Sequence, residues 1–172
     1  MISQKPNLVD IPIADIMQKY SGMVYRLAYA RTKNKADTED LFQEVFLRCL
    51  KSNPQFNSDE HCKAWLIRVT VNCGKNLLTS MWRKKVVLTE KALEGFVGND
   101  KDTLWDGKSE AFYAVMKLPE KYRIVIHLHY YEDYSVAEIG KILNRKESTV
   151  KTQLHRAREL LKQELKGDYD YV

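Results

Sequence analysis

The sequence predicts an all-α chain of two small helical domains joined by a linker, with a helix-turn-helix in the C-terminal one. Three observations predict it. Apolar residues recur every three or four positions through most of the 172 residues, with no convincing alternating stretch. Only seven glycines and four prolines interrupt that pattern. One segment, VVLTEKALEGFVGNDKDTLWDGK at 86–108, differs in kind. It holds three of the seven glycines and clustered acids, and it separates 1–85 from 109–172. A surface loop within one domain is the alternative for this segment, since Leu93, Phe96 and Trp105 could dock.

The first helix is expected over 13–33, where Ile16, Tyr20, Met23, Val24, Leu27 and Ala28 fall at helical spacing. Asn34-Lys35 breaks it, and Asp37 can cap a second helix, DTEDLFQEVFLRCLKS, whose first-turn acids suit the helix dipole. Asn53-Pro54 stops that helix. Ser58 can cap a long third helix over about 59–84. Past the linker, a helix over 109–116 is followed by PEKYRIVIHLHYYED, with Pro119 at its first turn. Ser135 and Glu138 form a capping box that opens a short helix to Leu143. Asn144-Arg145-Lys146 is a tight turn, because asparagine tolerates the left-handed conformation. The last helix, from ESTVKTQLHRAREL, runs to about Leu165.

That last helix carries chemistry. Val150, Leu154, Ala157 and Leu161 make one apolar stripe. Lys151, Thr152, His155, Arg156, Arg158 and Lys162 lie on other faces, with one acid, Glu159, among them. From Lys141 to Lys166 eight Lys/Arg stand against three Glu. A solvated amphipathic helix alone would alternate Lys and Glu. A capped short helix, a tight turn and a longer basic helix instead make a helix-turn-helix, whose second helix enters the major groove.

A second basic segment precedes the linker. Between Lys63 and Lys85 there are six Lys/Arg and no acid, interleaved with Trp65 and Trp82. Arg68, Asn72, Lys75 and Asn76 share one helical face, an arrangement suited to a nucleic-acid backbone and unstacked bases. Trp65, Leu66, Val69 and Leu77 read as core, Trp65 included. The 37–48 helix is acidic, with Leu41 and Phe46 as exposed apolar candidates, so its face suits a protein rather than DNA.

Here the residues resemble a family. AYARTKNKADTEDLFQEVFLRCL with WLIRVTVNCGKNLL is similar to region 2 of the extracytoplasmic-function group of RNA polymerase sigma factors. LPEKYRIVIHLHYYEDYSVAEIGKILNRKESTVKTQLHRARELL is similar to their region 4. The resemblance covers about 20–85 and 109–165. It implies a chain that joins core RNA polymerase, directs it to a promoter and helps melt the DNA. It would place Asp40, Leu41, Gln43, Glu44 and Phe46 on the polymerase clamp. Arg68, Asn72, Lys75 and Asn76 would face the −10 element, with the 52–58 loop beside a flipped base. Lys151, Thr152, His155 and Arg156 would read the −35 element, with Ser148 and Thr149 on phosphates. Region 4 would also touch the polymerase flap, and an anti-sigma factor is the further implied partner. Ser148 stands where glycine is common, Gln153 where a cation is frequent, Asn144 for a turn glycine and Gly140 for an alanine. These differences bear on base preference.

Other classes fit less well. A dimeric helix-turn-helix repressor or response regulator would need a dimerisation seam or a receiver pattern, and neither is visible. An enzyme would need a nucleophile, a metal cluster or a glycine-rich phosphate loop, whereas His61, His127, His129 and His155 are scattered. No cofactor and no metal are expected; Cys49, Cys62 and Cys73 form no CxxC pair and fit a reducing compartment. Apolar residues at 44 % and charged residues at 30 % fit a globular chain, and no apolar run approaches the roughly 20 residues that span a bilayer. The N-terminus lacks the features of a signal peptide, so a cytoplasmic monomer is the expectation. With its DNA-reading surfaces set apart in one chain, the free protein should bind DNA poorly without polymerase to space them.

Overall fold

The structure is a computed structural model that describes residues 10–80 and 109–167, with side chains described for 10–73 and 109–166. The expected linker, Trp82 and the Arg83-Lys84-Lys85 run lie outside the described residues. Among the described residues the fold is helical throughout. Its order is α1 Ile13–Thr32, α2 Lys35–Ser52, α3 Asp59–Ser80, α4 Glu110–Lys117, α5 Glu120–Ile126, a π turn at His127–Tyr131, α6 Val136–Leu143 and α7 Glu147–Gly167.

Each boundary has a local cause. The apolar stripe of α1 is buried as its spacing predicts: Ile16, Tyr20, Met23, Val24, Leu27 and Ala28 are all inside. Lys33 then turns left-handed (φ 63°), and its N–H closes on the Tyr29 carbonyl at 2.9 Å. The cap of α2 is Asn34, not the expected Asp37. Asn34 Oδ1 accepts from the Asp37 N–H at 2.9 Å, and Asn34 Nδ2 donates back to the Asp37 carboxylate at 2.6 Å. Asp37 thus stabilises the cap from the third helical position, through the side-chain amide of Asn34. Ser58 does cap α3, its hydroxyl accepting from the His61 N–H at 3.1 Å. Pro119 sits just ahead of α5 as its cap. The segment expected as one helix to Asp133 loosens into a π turn after Ile126 and ends at Glu132.

Helices α1, α2 and α3 pack together, and α7 lies against α4, α5 and α6. The two groups are joined by α1 against α5 and by α3 against α6. One continuous apolar cluster runs through both groups, from Ile16 to Ala157. The cysteines Cys49, Cys62 and Cys73 are unbridged and buried within it.

Among the described residues, the places where polar contacts join the groups include three. Arg123 is buried; its Nε donates to the Ala30 carbonyl, Nη2 to the Arg31 carbonyl at 3.3 Å, and Nη1 to the Leu118 carbonyl at 2.7 Å. Ala30 and Arg31 are among the last carbonyls of α1, which a helix leaves without partners of its own. Hydrogen bonds from charged donors contribute about 1.5–3 kcal/mol each. Arg31 in turn pairs with Glu120. Burial, with Arg123 and Arg145 nearby, lowers the Arg31 pKa to about 10. At the second place Glu132, buried after the π turn, meets Lys63 Nζ at 3.0 Å, His127 Nε2 at 3.5 Å and Arg26 at 4.0 Å. At the third, Arg68 Nε donates to the Ile142 carbonyl at 3.2 Å, in the last turn of α6.

Candidate nucleic-acid interface

The turn between α6 and α7 sets the geometry of the helix-turn-helix. Ser135 and Glu138 make the expected capping box, with bonds of 3.2 and 2.8 Å. Asn144 adopts the expected left-handed conformation (φ 53°, ψ 52°). The Arg145 N–H closes back on the Gly140 carbonyl at 2.8 Å. A Cβ on Gly140 would sit 2.8 Å from the Arg145 carbonyl oxygen, closer than side chains tolerate. Glycine here permits the chain to fold tightly from one helix into the next.

Val150, Leu154 and Ala157 are fully buried along α7, and Leu161 is half-buried at the end of the stripe. The opposite face is free. Ser148, Thr149, Lys151, Thr152, His155 and Arg156 are all exposed. The Thr152 hydroxyl donates back to the Ser148 carbonyl at 2.9 Å, and His155 Nε2 lies 3.3 Å from Glu159. Gln153 is half-buried and accepts from Arg145 Nη1 at 3.1 Å. That bond fixes the start of α7 against the turn, so Gln153 supports the turn rather than projecting to solvent.

Two neighbours of this face escaped the sequence reading. Lys121 and Tyr122, at the start of α5, line a shallow hollow of about 270 Å³ with Ser148, Thr149, Thr152, Gln153 and Arg156. Tyr122 is hydrogen-bonded to Arg156, and that cation lowers the pKa of its phenol. The hollow gathers hydroxyls and two cations, a chemistry suited to phosphate oxygens. Arg158 is committed elsewhere, donating to the Tyr130 hydroxyl at 2.6 Å.

On α3, Arg68 and Asn72 are exposed four residues apart, as expected. Lys75 and Asn76 continue the helix, but their side chains lie outside the described residues. Trp65 is half-buried and meets Phe56 edge-on at 5.8 Å, a core role. Phe56 is 1 % exposed and anchors the 53–58 loop, leaving Gln55 and Asn57 outward.

The acidic helix requires a correction. Leu41 and Phe46, expected as exposed apolar candidates, are core residues at 0 % and 6 % exposure. Helix α2 is covered by both α1 and α3, so its buried stripe is wide: Leu41, Phe42, Val45, Phe46 and Cys49 all point inward. The apolar residues that do face outward are Leu47 (46 %) and Leu50 (60 %). They continue the face of Asp40, Gln43 and Glu44, all three half-buried. Glu44 holds Arg48 at 2.8 Å, and burial pushes the Asp40 carboxyl up, helped by Asp37 and Glu39. The signal was present in the sequence as leucines three and six positions beyond Glu44.

Comparison with known proteins follows these surfaces. Residues 16–84 match the sigma-70 region 2 family, and residues 112–161 match sigma-70, region 4. The chain is 31 % identical over 169 residues to the ECF RNA polymerase sigma factor SigW of Bacillus subtilis (strain 168), covering 89 % of this chain and 88 % of that one. It is 30 % identical over 142 residues to the RNA polymerase sigma factor SigV of the same organism, covering 82 % and 83 %. In fold it is similar to the sigma factor RpoE, solved in complex with the anti-sigma factor NepR from Bartonella quintana. There the TM-score is 0.60 at 19 % identity, over 88 % of this chain and 97 % of that one. It is likewise similar to CnrH, solved with the cytosolic domain of CnrY, at a TM-score of 0.62 and 19 % identity, over 91 % and 88 %.

Proposed function

The chain belongs to the extracytoplasmic-function group of RNA polymerase sigma factors, and from that premise we propose how its surfaces divide the work of promoter-specific transcription initiation. Residues 1–85 bind core polymerase and the −10 element, 109–172 read the −35 element, and 86–108 link them. Helix α7 enters the major groove of the −35 element with Lys151, Thr152, His155 and Arg156 at base edges. Ser148 and Thr149, with Lys121 beside them, hold phosphates. Arg68, Asn72, Lys75 and Asn76 on α3 meet the −10 strand, with the 52–58 segment beside a flipped base. Flipping a base costs a few kcal/mol, which backbone cations and stacking can offset.

Asp40, Gln43 and Glu44 on α2 face the polymerase clamp, with Leu47 and Leu50 as the apolar part of that surface. Leu41 and Phe46 act from beneath by holding the helix. The C-terminal helices also touch the flap. Such a chain works as a non-catalytic subunit, in the cytoplasm and as a monomer when free, and an anti-sigma factor is the natural regulator. Among the described residues no helix is long and apolar enough to cross a membrane.

The observation that carries this reading is the face of α7: four reading residues exposed on a helix whose opposite stripe is sealed into the core. The experiment is reconstitution of the purified chain with a bacterial core polymerase on genomic fragments. Specific transcripts that need both components are expected, and their start sites define the −35 and −10 sequences. Failure to associate with core, together with tight palindrome binding by the chain alone, would point to a dimeric repressor instead. Glu44→Lys and Leu50→Asp should each weaken association with core while leaving the helical circular dichroism unchanged. Normal core binding by both would remove α2 from the interface.

A further inference from the structure

We propose that Tyr122 is a positioning residue for DNA reading: from α5 it holds the Arg156 guanidinium at one setting against the base edges of the −35 element. This rests on reading α7 as the −35 helix.

The phenol is a fixed point. The Tyr122 N–H closes on the Pro119 carbonyl at 3.0 Å, in the first turn of α5, and α5 packs along α7. The residue is 8 % exposed, with its ring in the apolar cluster. A tyrosine joins an apolar body to a polar tip, and here the tip meets Arg156 at the hollow beside α7. An arginine side chain only donates, so Arg156 gives an N–H and the phenol oxygen accepts it. That acceptor cannot shift without moving the core around its ring.

Arg156 needs such a point. It is exposed, on a long side chain that otherwise samples many rotamers and loses that freedom on binding. A guanidinium reads a base edge with two parallel N–H groups, so its plane must be set as well as its position. One of its five N–H groups on the phenol leaves the others for the base. The contacts of Thr152 and His155 differ in kind. The Thr152 hydroxyl bonds to the Ser148 carbonyl and His155 lies beside Glu159, both within α7. Such contacts travel with α7, whereas the bond from Tyr122 ties a reading side chain to a second helix.

Lys121 lines the same hollow with Ser148 and Thr149, and its Nζ lies 5.0 Å from the Tyr122 ring centroid. A phosphate is the same at every base pair, so a lysine there adds affinity without choice. Adjacent residues of α5 thus serve the two parts of recognition, Lys121 the backbone and Tyr122 the bases.

The test uses holoenzyme reconstituted with the wild type, Tyr122→Phe, Arg156→Ala, the double variant and Lys121→Ala. Binding is measured to promoters in which each −35 base pair is replaced in turn by the other three. The position at which Arg156→Ala loses its preference is the one that Arg156 reads. Tyr122→Phe keeps the ring and removes the acceptor. It should lower the preference at that position at least about fivefold and move the others by less than about twofold. Added to Arg156→Ala, it should change that preference by less than about twofold, because the two side chains act as one. Lys121→Ala should weaken every sequence alike and reduce the dependence on salt.

An unchanged preference in Tyr122→Phe, beside a lost one in Arg156→Ala, overturns the positioning role and leaves the reading of α7 standing. A uniform loss like that of Lys121→Ala would assign the phenol to the backbone and overturn it too, as would a further loss in the double variant. If Arg156→Ala alters the preference at no position, Arg156 does not read bases, and the proposal falls with that reading.

Discussion

Helices α3 and α7 look alike as sequence and differ as structure. Each sets cations and hydrogen-bonding side chains along one face and apolar residues along another. On α7 the polar face is open, and its reading residues make only short-range contacts with their own helix or with α5. On α3 the leading cation, Arg68, is bound to a backbone carbonyl of α6. Composition shows which helices can hold nucleic acid. Packing decides which of their exposed side chains already hold a partner on a distant helix.

Four experiments break or sharpen that contrast. The largest effect is expected for α7. His155→Ala with Arg156→Ala should weaken initiation from −35-dependent promoters by about 1–3 kcal/mol for each lost base contact. Unchanged promoter choice would remove the open face from DNA reading. For α3, Arg68→Ala should cost the holoenzyme about 1–3 kcal/mol in binding the −10 strand, by analogy with other charged contacts, yet leave the free chain's −35 affinity unchanged. Equal losses at both elements would erase the contrast.

A smaller effect is expected at the turn that aims α7. Gly140→Ala gains up to about 1 kcal/mol in helix propensity, but crowding a backbone oxygen costs about 1–3 kcal/mol, so a net loss of about 1 kcal/mol in urea unfolding should follow. A more stable variant would mean that the turn can relax.

The smallest effect is a pH dependence at the contact between the halves. Burial lowers the His127 pKa and keeps the ring neutral, with Glu132, Lys63 and Arg26 around it. Burial tends to raise the Glu132 pKa, but His127 and Lys63 outweigh it and hold the carboxylate ionised. Both folded pKa values thus lie below the unfolded ones. Stability should be flat above about pH 6.5, where an unfolded histidine is neutral, and should fall as the pH drops below it. Thermal unfolding between pH 8 and 5 checks this, and a rise in stability towards pH 5 would contradict the neutral ring.

Local features were legible in the sequence. The Ser135–Glu138 box, the left-handed Asn144 and the Val150–Leu154–Ala157 stripe each depend on residues within a few positions, and all formed as expected. Asn34 and Asp37 are both good caps, and spacing alone could not choose between them. Leu41 and Phe46 went astray because α2 is covered on two sides, which widens its buried stripe beyond one face. At the candidate site, the outward residues of α7 were readable from periodicity, whereas Lys121 and Tyr122 join it only through the packing of α5 on α7. The bonds from Arg123 to α1 and from Arg68 to α6 span 93 and 74 residues, and nothing near either arginine announces its partner.

The buried cysteines set how the chain meets oxidants. Burial raises the pKa of all three thiols, that of Cys62 to about 11. At neutral pH, Cys62 is then thiolate on the order of one part in ten thousand, and the thiolate is the form that attacks peroxides and disulfides. While the fold holds, peroxide or a thiol-directed reagent should find little to modify.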